Sequence, residues 1–146
     1  MIRVSVQREA FDIAAETLAL EAAGVGAVAT FTGIVRGDDG VTAIELEHYP
    51  GMTEASLNDI CAIAQERWGL TGCTIIHRVG RMKVGEPIVL VVTASPHRAA
   101  ALEACAFLID RLKTDAPFWK REYRGDVAQW VEQKTSDVER GQSWDG

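Results

Sequence analysis

The sequence predicts an α+β fold, with a mostly antiparallel sheet and about three helices. Helical patterns alternate with paired strand patterns along the chain, and the predicted hairpins outnumber the predicted helical crossovers. The chain has 146 residues, of which 47% are hydrophobic, so it can bury the core of one domain. A doubly wound α/β fold is disfavoured, because it requires a helical crossover between successive parallel strands.

The first half of the chain predicts three strands and two helices. Strand patterns cover residues 2–6, 25–35 and 41–48, and helical patterns cover residues 10–23 and 53–68. Gly24 ends the first helix, and Thr53 is the predicted N-cap of the second. The turn sequence GDDG at residues 37–40 predicts that the second and third strands form a hairpin.

The second half predicts two long strands, a short one and one long helix. The long strands cover residues 73–79 and 88–94, with a short strand around Met82 between them. Ser95 as N-cap and Pro96 at the first position are typical of a helix start. The apolar face of this helix holds Leu102, Cys105, Ile109 and Leu112. Pro117 ends the helix because it lacks an amide donor, so residues 118–123 are predicted to be extended.

Polar residues dominate the end of the chain, where Trp144 is the only large apolar residue after residue 134. We therefore predict a single domain over residues 1–133 and a loosely held tail over residues 134–146.

Charge and hydropathy exclude several classes of partner. A net charge of −6 and a pI near 5.0 disfavour nucleic acid, because binding to a phosphate backbone requires a basic surface. No apolar run is long enough to span a membrane. The first residues alternate like a strand and lack the apolar block of a signal peptide, so the cytoplasm is the expected compartment.

Cysteine and histidine spacing predicts no metal site and no disulfide framework. Cys61, Cys73 and Cys105 are odd in number and form no C-x-x-C pair, so we expect reduced, buried thiols. His48 and His77 have no partner at the spacing of metal ligands.

Five cations are candidates for an anion-binding pocket. His97 and Arg98 in the first turn of the long helix oppose its dipole, and a bound phosphate or carboxylate would remove that conflict. The alternative is that both side chains are solvated or meet a nearby acid. Lys113 and Lys120 flank the proline stop, and Arg36 follows a strand, but each is also explained as an ordinary surface residue. Spacing alone does not decide between these explanations.

Five sequence blocks resemble the large, catalytic subunit of molybdopterin synthases. They occur in the expected order over residues 31–122, and only the tail after about residue 132 lies outside the resemblance. The first four blocks are FTGIVR (31–36), LEHYPGM (46–52), HRVG (77–80) and HR (97–98), and the fifth combines LK (112–113) with APFWKRE (116–122). The loop at residues 37–40 is short for this family.

The resemblance implies a fold called the α/β hammerhead and a sulfurtransferase reaction of molybdenum cofactor biosynthesis. Enzymes of this family convert cyclic pyranopterin monophosphate to molybdopterin by inserting two dithiolene sulfurs. The sulfur arrives as a thiocarboxylate on the C-terminal glycine of a small, ubiquitin-like carrier subunit. The resemblance further implies a homodimer of this chain within a heterotetramer, and no metal, ATP or other cofactor.

The resemblance also assigns roles to residues. Lys113 and Lys120 are implied as catalytic, with Lys113 at the sulfur-transfer centre and Lys120 in substrate positioning and proton transfer. Fixed ammonium groups would stabilise the anionic tetrahedral species of such a transfer. The implied substrate-binding residues are Ile34, Val35, Arg36, His97, Arg98, Lys113, Lys120, Arg121 and Glu122. The extended segment at residues 118–123 is a hypothetical strand-addition partner for the carrier's tail.

Two other functions remain open from the sequence. One is a non-catalytic dimeric module that binds a ubiquitin-like tail or a phosphorylated metabolite in the same basic pocket. The other is a different metal-free enzyme that acts on a phosphorylated heterocycle.

Overall fold

The fold is built from two four-stranded sheets and the helices that pack on the first of them. The computed structural model describes residues 1–131 and 135–145. In this part of the chain the strands are β1 Ile2–Gln7, β2 Ala27–Ile34, β3 Ala43–His48, β4 Gly72–Arg78, β5 Gly80–Lys83, β6 Pro87–Ser95, β7 Phe118–Arg124 and β8 Val127–Val131. The helices are α1 Ile13–Leu18, α2 Met52–Trp68, α3 Arg98–Asp115 and α4 Thr135–Gln142. The predicted α+β class is confirmed.

The first sheet has the strand order β1-β4-β6-β2 and carries the main core. Only the β1–β4 pair is parallel, so this sheet is largely antiparallel as predicted. Helices α2 and α3 cover one face, where Leu57, Ile75 and Leu108 are fully buried. The segment around α1 covers the other face, where Leu20 packs with Leu90. Burial on both faces explains why β6 is almost continuously apolar, and β4 is buried along its whole length although it contains Thr74, His77 and Arg78.

The second sheet has the order β5-β3-β7-β8 and is antiparallel throughout. Its inner face forms a separate small core that includes Val35, Ile44, Leu46 and Met82. Phe118 packs against this core and also against the main core, so the first residue of β7 lies where the two cores meet.

The predicted hairpin between the second and third strands is wrong. β2 pairs with β6 over residues 27–34, whereas β3 lies between β5 and β7 in the other sheet. The main chain of Val35 explains this difference, because it exchanges hydrogen bonds with the β5–β6 turn through Glu86 O and Gly85 N, both at 2.9 Å. Its side chain, 2% exposed, fills the second core, so the chain crosses between sheets at this point.

Two helix starts also differ from the predictions. Helix α1 is shorter than residues 10–23, because Asp12 caps it through Ala15 N at 3.0 Å and it ends at Leu18. Helix α2 begins one residue before Thr53, and Glu54 accepts a hydrogen bond from Gly51 N at 2.9 Å. Thr53 is fully buried and does not cap this helix.

Helix α3 begins at Arg98, and His97 takes the N-cap position predicted for Ser95. Ser95 is the last residue of β6, and its hydroxyl accepts a hydrogen bond from His97 N at 3.2 Å. Leu102 is 62% exposed and therefore not part of the buried face, whereas Phe107 is 1% exposed. The helix ends at Asp115, two residues before the proline, as predicted.

Residues 135–145 of the predicted tail pack against α3. Trp144 donates from Nε1 to Asp110 Oδ2 at 2.7 Å, and its ring meets the rings of Trp68 and Phe107 edge-on. Arg111 Nη1 bonds to Asp145 Oδ1 at 2.6 Å. The predicted boundary between residues 133 and 134 lies outside the described part, and both the division and the loosely held tail stay predictions.

Among the described residues, no helix is both long enough and apolar enough to cross a membrane.

Candidate active site

Arg36 and Lys113 lie at the same end of the first sheet. β6 begins at that end with Pro87, which pairs with Ile34, and the chain reaches Arg36 two residues later. Helix α3 follows the far end of β6 and packs back across β6 and β2, so its last turn returns to the end where β6 begins. Lys113 is in that last turn and is exposed.

Lys120 comes to this end on β7. It pairs with Leu46 of β3, so its side chain shares the inner face of the second sheet with Leu46 and Phe118. Its Nζ lies 3.9 Å from Glu122 Oε2, and Arg124 Nη2 lies 3.4 Å from the other oxygen of that carboxylate. Glu122 thus lies between two cations, and it draws the ammonium group of Lys120 along β7.

Arg121 lies on the opposite face of β7 from Lys120, because adjacent strand residues point to opposite sides. Its guanidinium stacks on Trp130 at 4.4 Å, and Nη1 lies 3.8 Å from Glu45 Oε1. Its Nε is buried and makes no hydrogen bond within the described residues. The predicted site residues Arg121 and Glu122 therefore do not line one surface of one chain.

The segment at residues 34–36 presents two exposed side chains around a buried one. Ile34 is 55% exposed, and Arg36 projects outward and bonds through Nε to Asp38 Oδ2 at 2.7 Å. Val35 is a core residue, so it supports the site and does not touch its surface. An exposed pair such as Arg36–Asp38 is worth about 0–1 kcal/mol, so a phosphate can readily displace the carboxylate.

His97 and Arg98 lie at the other end of the first sheet. Ser95 ends β6 there and pairs with Ala27, the first residue of β2. Eight residue steps of strand separate this pair from Ile34 and Pro87, a distance of about 26 Å. One chain therefore does not bring His97 and Arg98 to Arg36, Lys113 and Lys120.

A cavity of about 520 Å³ lies beside the lysine-bearing strand. It is bounded by the end of β1, including Gln7 and Arg8, and by the end of β3, including Leu46 and His48. Since Leu46 lies opposite Lys120, the cavity extends along the same face of the second sheet.

Two buried polar residues to which the sequence analysis gave no role at the site hold the start of β7. The hydroxyl of Thr53 donates to the carbonyl oxygen of Pro117 at 2.9 Å. The ring of His77 stacks on Phe118, with centroids 4.0 Å apart and planes inclined by 23°. His77 is in a block that resembles the synthase family and Thr53 directly follows one, but the partner of Thr53 is 64 positions away and that of His77 is 41, so no local pattern pointed to the contacts.

Residues 118–123 have no free strand edge over most of their length. β3 pairs with residues 118–123, and β8 pairs with residues 120–124 on the other side. The hypothesis that a partner's tail adds to this segment as a strand is therefore wrong for residues 120–123.

The three cysteines are buried thiols, as predicted. Burial raises the pKa of Cys105 to about 11. A hydrogen bond with Cys73 and burial raise the pKa of Cys61. Thiols held in the neutral form are poor nucleophiles, so these residues are unsuited to carrying sulfur.

The family model described as MoaE protein matches residues 6–115. The molybdopterin synthase catalytic subunit of Mesorhizobium japonicum is 53% identical over 97% of this chain and 92% of its own. Among solved structures, the molybdopterin biosynthesis MoaE protein from Burkholderia ambifaria has a TM-score of 0.85 and 44% identity, with 100% of this chain and 99% of that chain covered. A complex of subunits 1 and 2 of the molybdopterin-converting factor from Helicobacter pylori has a TM-score of 0.77 at 22% identity, over 91% of each chain, and shares the fold.

Proposed function

The chain belongs to the MoaE protein family, and from this we propose that it catalyses the sulfur transfer that makes molybdopterin. The substrate is cyclic pyranopterin monophosphate, and the product carries two dithiolene sulfurs. The observation that supports this proposal is that Arg36, the last turn of α3 with Lys113, and the start of β7, which carries Lys120, lie at one end of the first sheet.

Arg36 is suited to bind the substrate's phosphate. Its guanidinium is exposed, and the partner it has among the described residues is the neighbouring surface carboxylate of Asp38. A guanidinium can bind two phosphate oxygens at once. A phosphate therefore has an advantage over the carboxylate of Asp38, which Arg36 contacts through Nε. Ile34, exposed beside it, offers an apolar surface to the pterin.

The two lysines supply positive charge where the reaction develops negative charge. Transfer from a thiocarboxylate passes through an anionic tetrahedral species, which a fixed ammonium stabilises. We assign Lys113 to this centre. Lys120 positions the pterin and transfers protons as the cyclic phosphate opens, and Glu122 orients its ammonium group.

Two copies of the chain complete the site. His97 and Arg98 are about 26 Å from Arg36 along the β2–β6 pair, too far to touch the same small substrate. A two-fold dimer that brings the α3 start of one copy to the lysine end of the other creates two equivalent sites. In each site one copy supplies Arg36, Lys113 and Lys120, and the other supplies His97 and Arg98.

The sulfur donor is the C-terminal thiocarboxylate of a small carrier subunit. Its use fits the chemistry of this chain, because the three cysteines are buried and their thiols are not poised for nucleophilic attack. Two carriers on the dimer make a heterotetramer. We propose the cytoplasm as the compartment, since free thiols are ordinary in a reducing environment.

Reconstitution tests the proposal directly. The purified chain, thiocarboxylated carrier and cyclic pyranopterin monophosphate are mixed, and the dithiolene product is measured as its stable fluorescent derivative. We expect product from the wild-type chain and none from Lys113→Ala or Lys120→Ala, although both variants still form the complex in size-exclusion chromatography. Complex formation without product from the wild-type chain would instead indicate the non-catalytic binding module. Wild-type turnover by both variants would refute the lysine roles.

A further inference from the structure

We propose that His77 is a positioning residue for Lys120 and acts through the ring of Phe118. The inference rests on the proposed role of Lys120 in turnover. It concerns a buried side chain on β4 that neither binds substrate nor faces the open site, and it explains how the lysine strand is held in place.

The plane of the His77 ring is fixed by the main chain of its own strand. The side chain is only 6% exposed, and Nδ1 lies 2.9 Å from the carbonyl oxygen of Arg78. A carbonyl oxygen only accepts, so Nδ1 carries the hydrogen in this contact. Burial lowers the pKa of His77 to about 4, so it stays neutral and keeps this contact at the pH of ordinary assays.

The stacked ring transmits this orientation to β7. Phe118 lies on His77 with a 4.0 Å centroid separation, which is close stacking over most of the ring. Phe118 is the first residue of β7, and Thr53 holds the preceding carbonyl, that of Pro117. Lys120 follows on the same face of the strand, about 7 Å further along. β3 pairs along the whole of this segment, but β8 pairs only from residue 120 onward, so the position of Phe118 adds to the β3 pairing in setting the place and tilt of the strand that carries Lys120.

Burial alone does not account for a histidine at this position. Its cross-strand partners, Val6 and Val89, are apolar, and an imidazole is more costly to bury than an aliphatic side chain of similar size. An aliphatic side chain would fill the space, but it would offer Phe118 no flat surface and no fixed plane. The feature that histidine adds is a defined ring orientation at the junction of the two sheets.

Three variants in the complete complex with the carrier test this role. His77→Leu keeps an apolar side chain but removes the stacked ring, and His77→Phe keeps a flat ring. Ile76→Ala is the matched control, since Ile76 is fully buried on the same strand and packs in the cluster on the other face of the sheet. For each variant kcat, KM for the pterin substrate and Tm are measured.

We expect His77→Leu to lower kcat about tenfold with KM within about twofold, because a displaced reacting group affects the chemical step more than binding. His77→Phe should keep kcat within about threefold of wild type, and Ile76→Ala should lose Tm but keep kcat within about twofold. Unchanged kcat in His77→Leu, or equal losses in the two His77 variants, would overturn the proposal. An equal kcat loss in Ile76→Ala would also overturn it, since general destabilisation would then explain the effect.

A second measurement does not depend on turnover. The sequence contains four lysines, so ¹³C-dimethylation gives a simple NMR spectrum in which Lys120→Arg identifies the Lys120 signal. In His77→Leu this signal should shift or broaden, while that of Lys83 should not. If Lys120→Ala turns over normally, the role assigned to Lys120 fails, yet the signal still tests the positioning contact. An unmoved Lys120 signal would refute the contact even if Lys120 proves essential.

Discussion

Arg36 and Arg98 lie at opposite ends of the β2–β6 strand pair, so one chain cannot apply both guanidinium groups to one small substrate. Each copy nevertheless carries both groups, and a two-fold dimer can bring the two ends together twice. This relationship predicts which pairs of inactive variants restore activity when they are mixed.

Mixing Lys113→Ala with Arg98→Ala chains should restore activity. After subunit exchange half of the dimers are mixed, and each mixed dimer has one intact site, so about one quarter of wild-type turnover is expected. Mixing Lys113→Ala with Arg36→Ala is the matched control and should restore nothing, because both residues come from the same chain in each site. Recovery in the control, or its absence in the first mixture, would contradict the division of the site.

Gly26→Ala should impair the same half of the site as Arg98→Ala. An added Cβ at Gly26 would lie 2.1 Å from the carbonyl oxygen of Pro96, so the segment that leads to His97 and Arg98 must move. We expect a loss of about 1–3 kcal/mol in the free energy of unfolding and weaker substrate binding, measured by urea unfolding and calorimetry. In mixing experiments this variant should be complemented by Lys113→Ala.

Gly24→Ala is the comparison for that variant. A Cβ at Gly24 meets nothing within 4 Å, and only its positive φ of 92° opposes the substitution. It should cost about 1–2 kcal/mol in stability without weakening substrate binding. Equal loss of binding in the two variants would show that displacement at Pro96 is not the cause.

His77 should make the protein sensitive to mild acid. Its pKa is lowered to about 4 by burial, whereas the unfolded chain binds the proton near pH 6.5, so acid favours unfolding between these values. The free energy of unfolding should fall by on the order of 2 kcal/mol between pH 6.5 and pH 5 from this residue. Urea titrations at constant protein concentration should show that His77→Phe removes this part of the loss. The control His97→Ala, in which an exposed histidine is replaced, should retain it.

The three cysteines should not react with thiol reagents while the chain is folded. Burial and the raised pKa values of Cys61 and Cys105 leave little accessible thiolate at pH 8. We expect none of the three to react with a thiol reagent in native buffer and all three to react in 6–8 M urea, a range on the order of that needed for full unfolding. Chains treated with iodoacetamide and then freed of it should retain turnover. Inactivation by this treatment would mean that a thiol takes part in the reaction.

Local patterns were enough to predict most strands and the proline stop that precedes Lys120, because these depend on periodicity and on backbone chemistry. Strand partners were not predictable in the same way. The turn at residues 37–40 has hairpin composition, yet Val35 is bonded to the β5–β6 turn and the two strands enter different sheets. The sheet that each strand joins depends on the core in which Val35 is buried. That core is formed by residues from distant parts of the chain, so no local pattern reveals it.

The candidate site was predictable to a similar extent. The sequence identified the cations, but Thr53 and His77 were missed because they act on residues 117 and 118 through long-range contacts. The single pocket expected for Arg36, His97 and Lys113 was wrong for one chain, since the length of β6 separates the first two. The residue types predicted the kind of chemistry. The lengths and directions of the strands determined where in the molecule each charged side chain lies.

The length of the β2–β6 pair also affects how activity depends on enzyme concentration. In the proposed dimer each chain supplies one part of each of two sites, so a single chain would have no function however stable its fold. Activity then follows the fraction of chains that are paired, and dilution below the dissociation constant of the dimer should silence the enzyme without unfolding it. The length of two strands would thus set a protein concentration below which the enzyme is inactive.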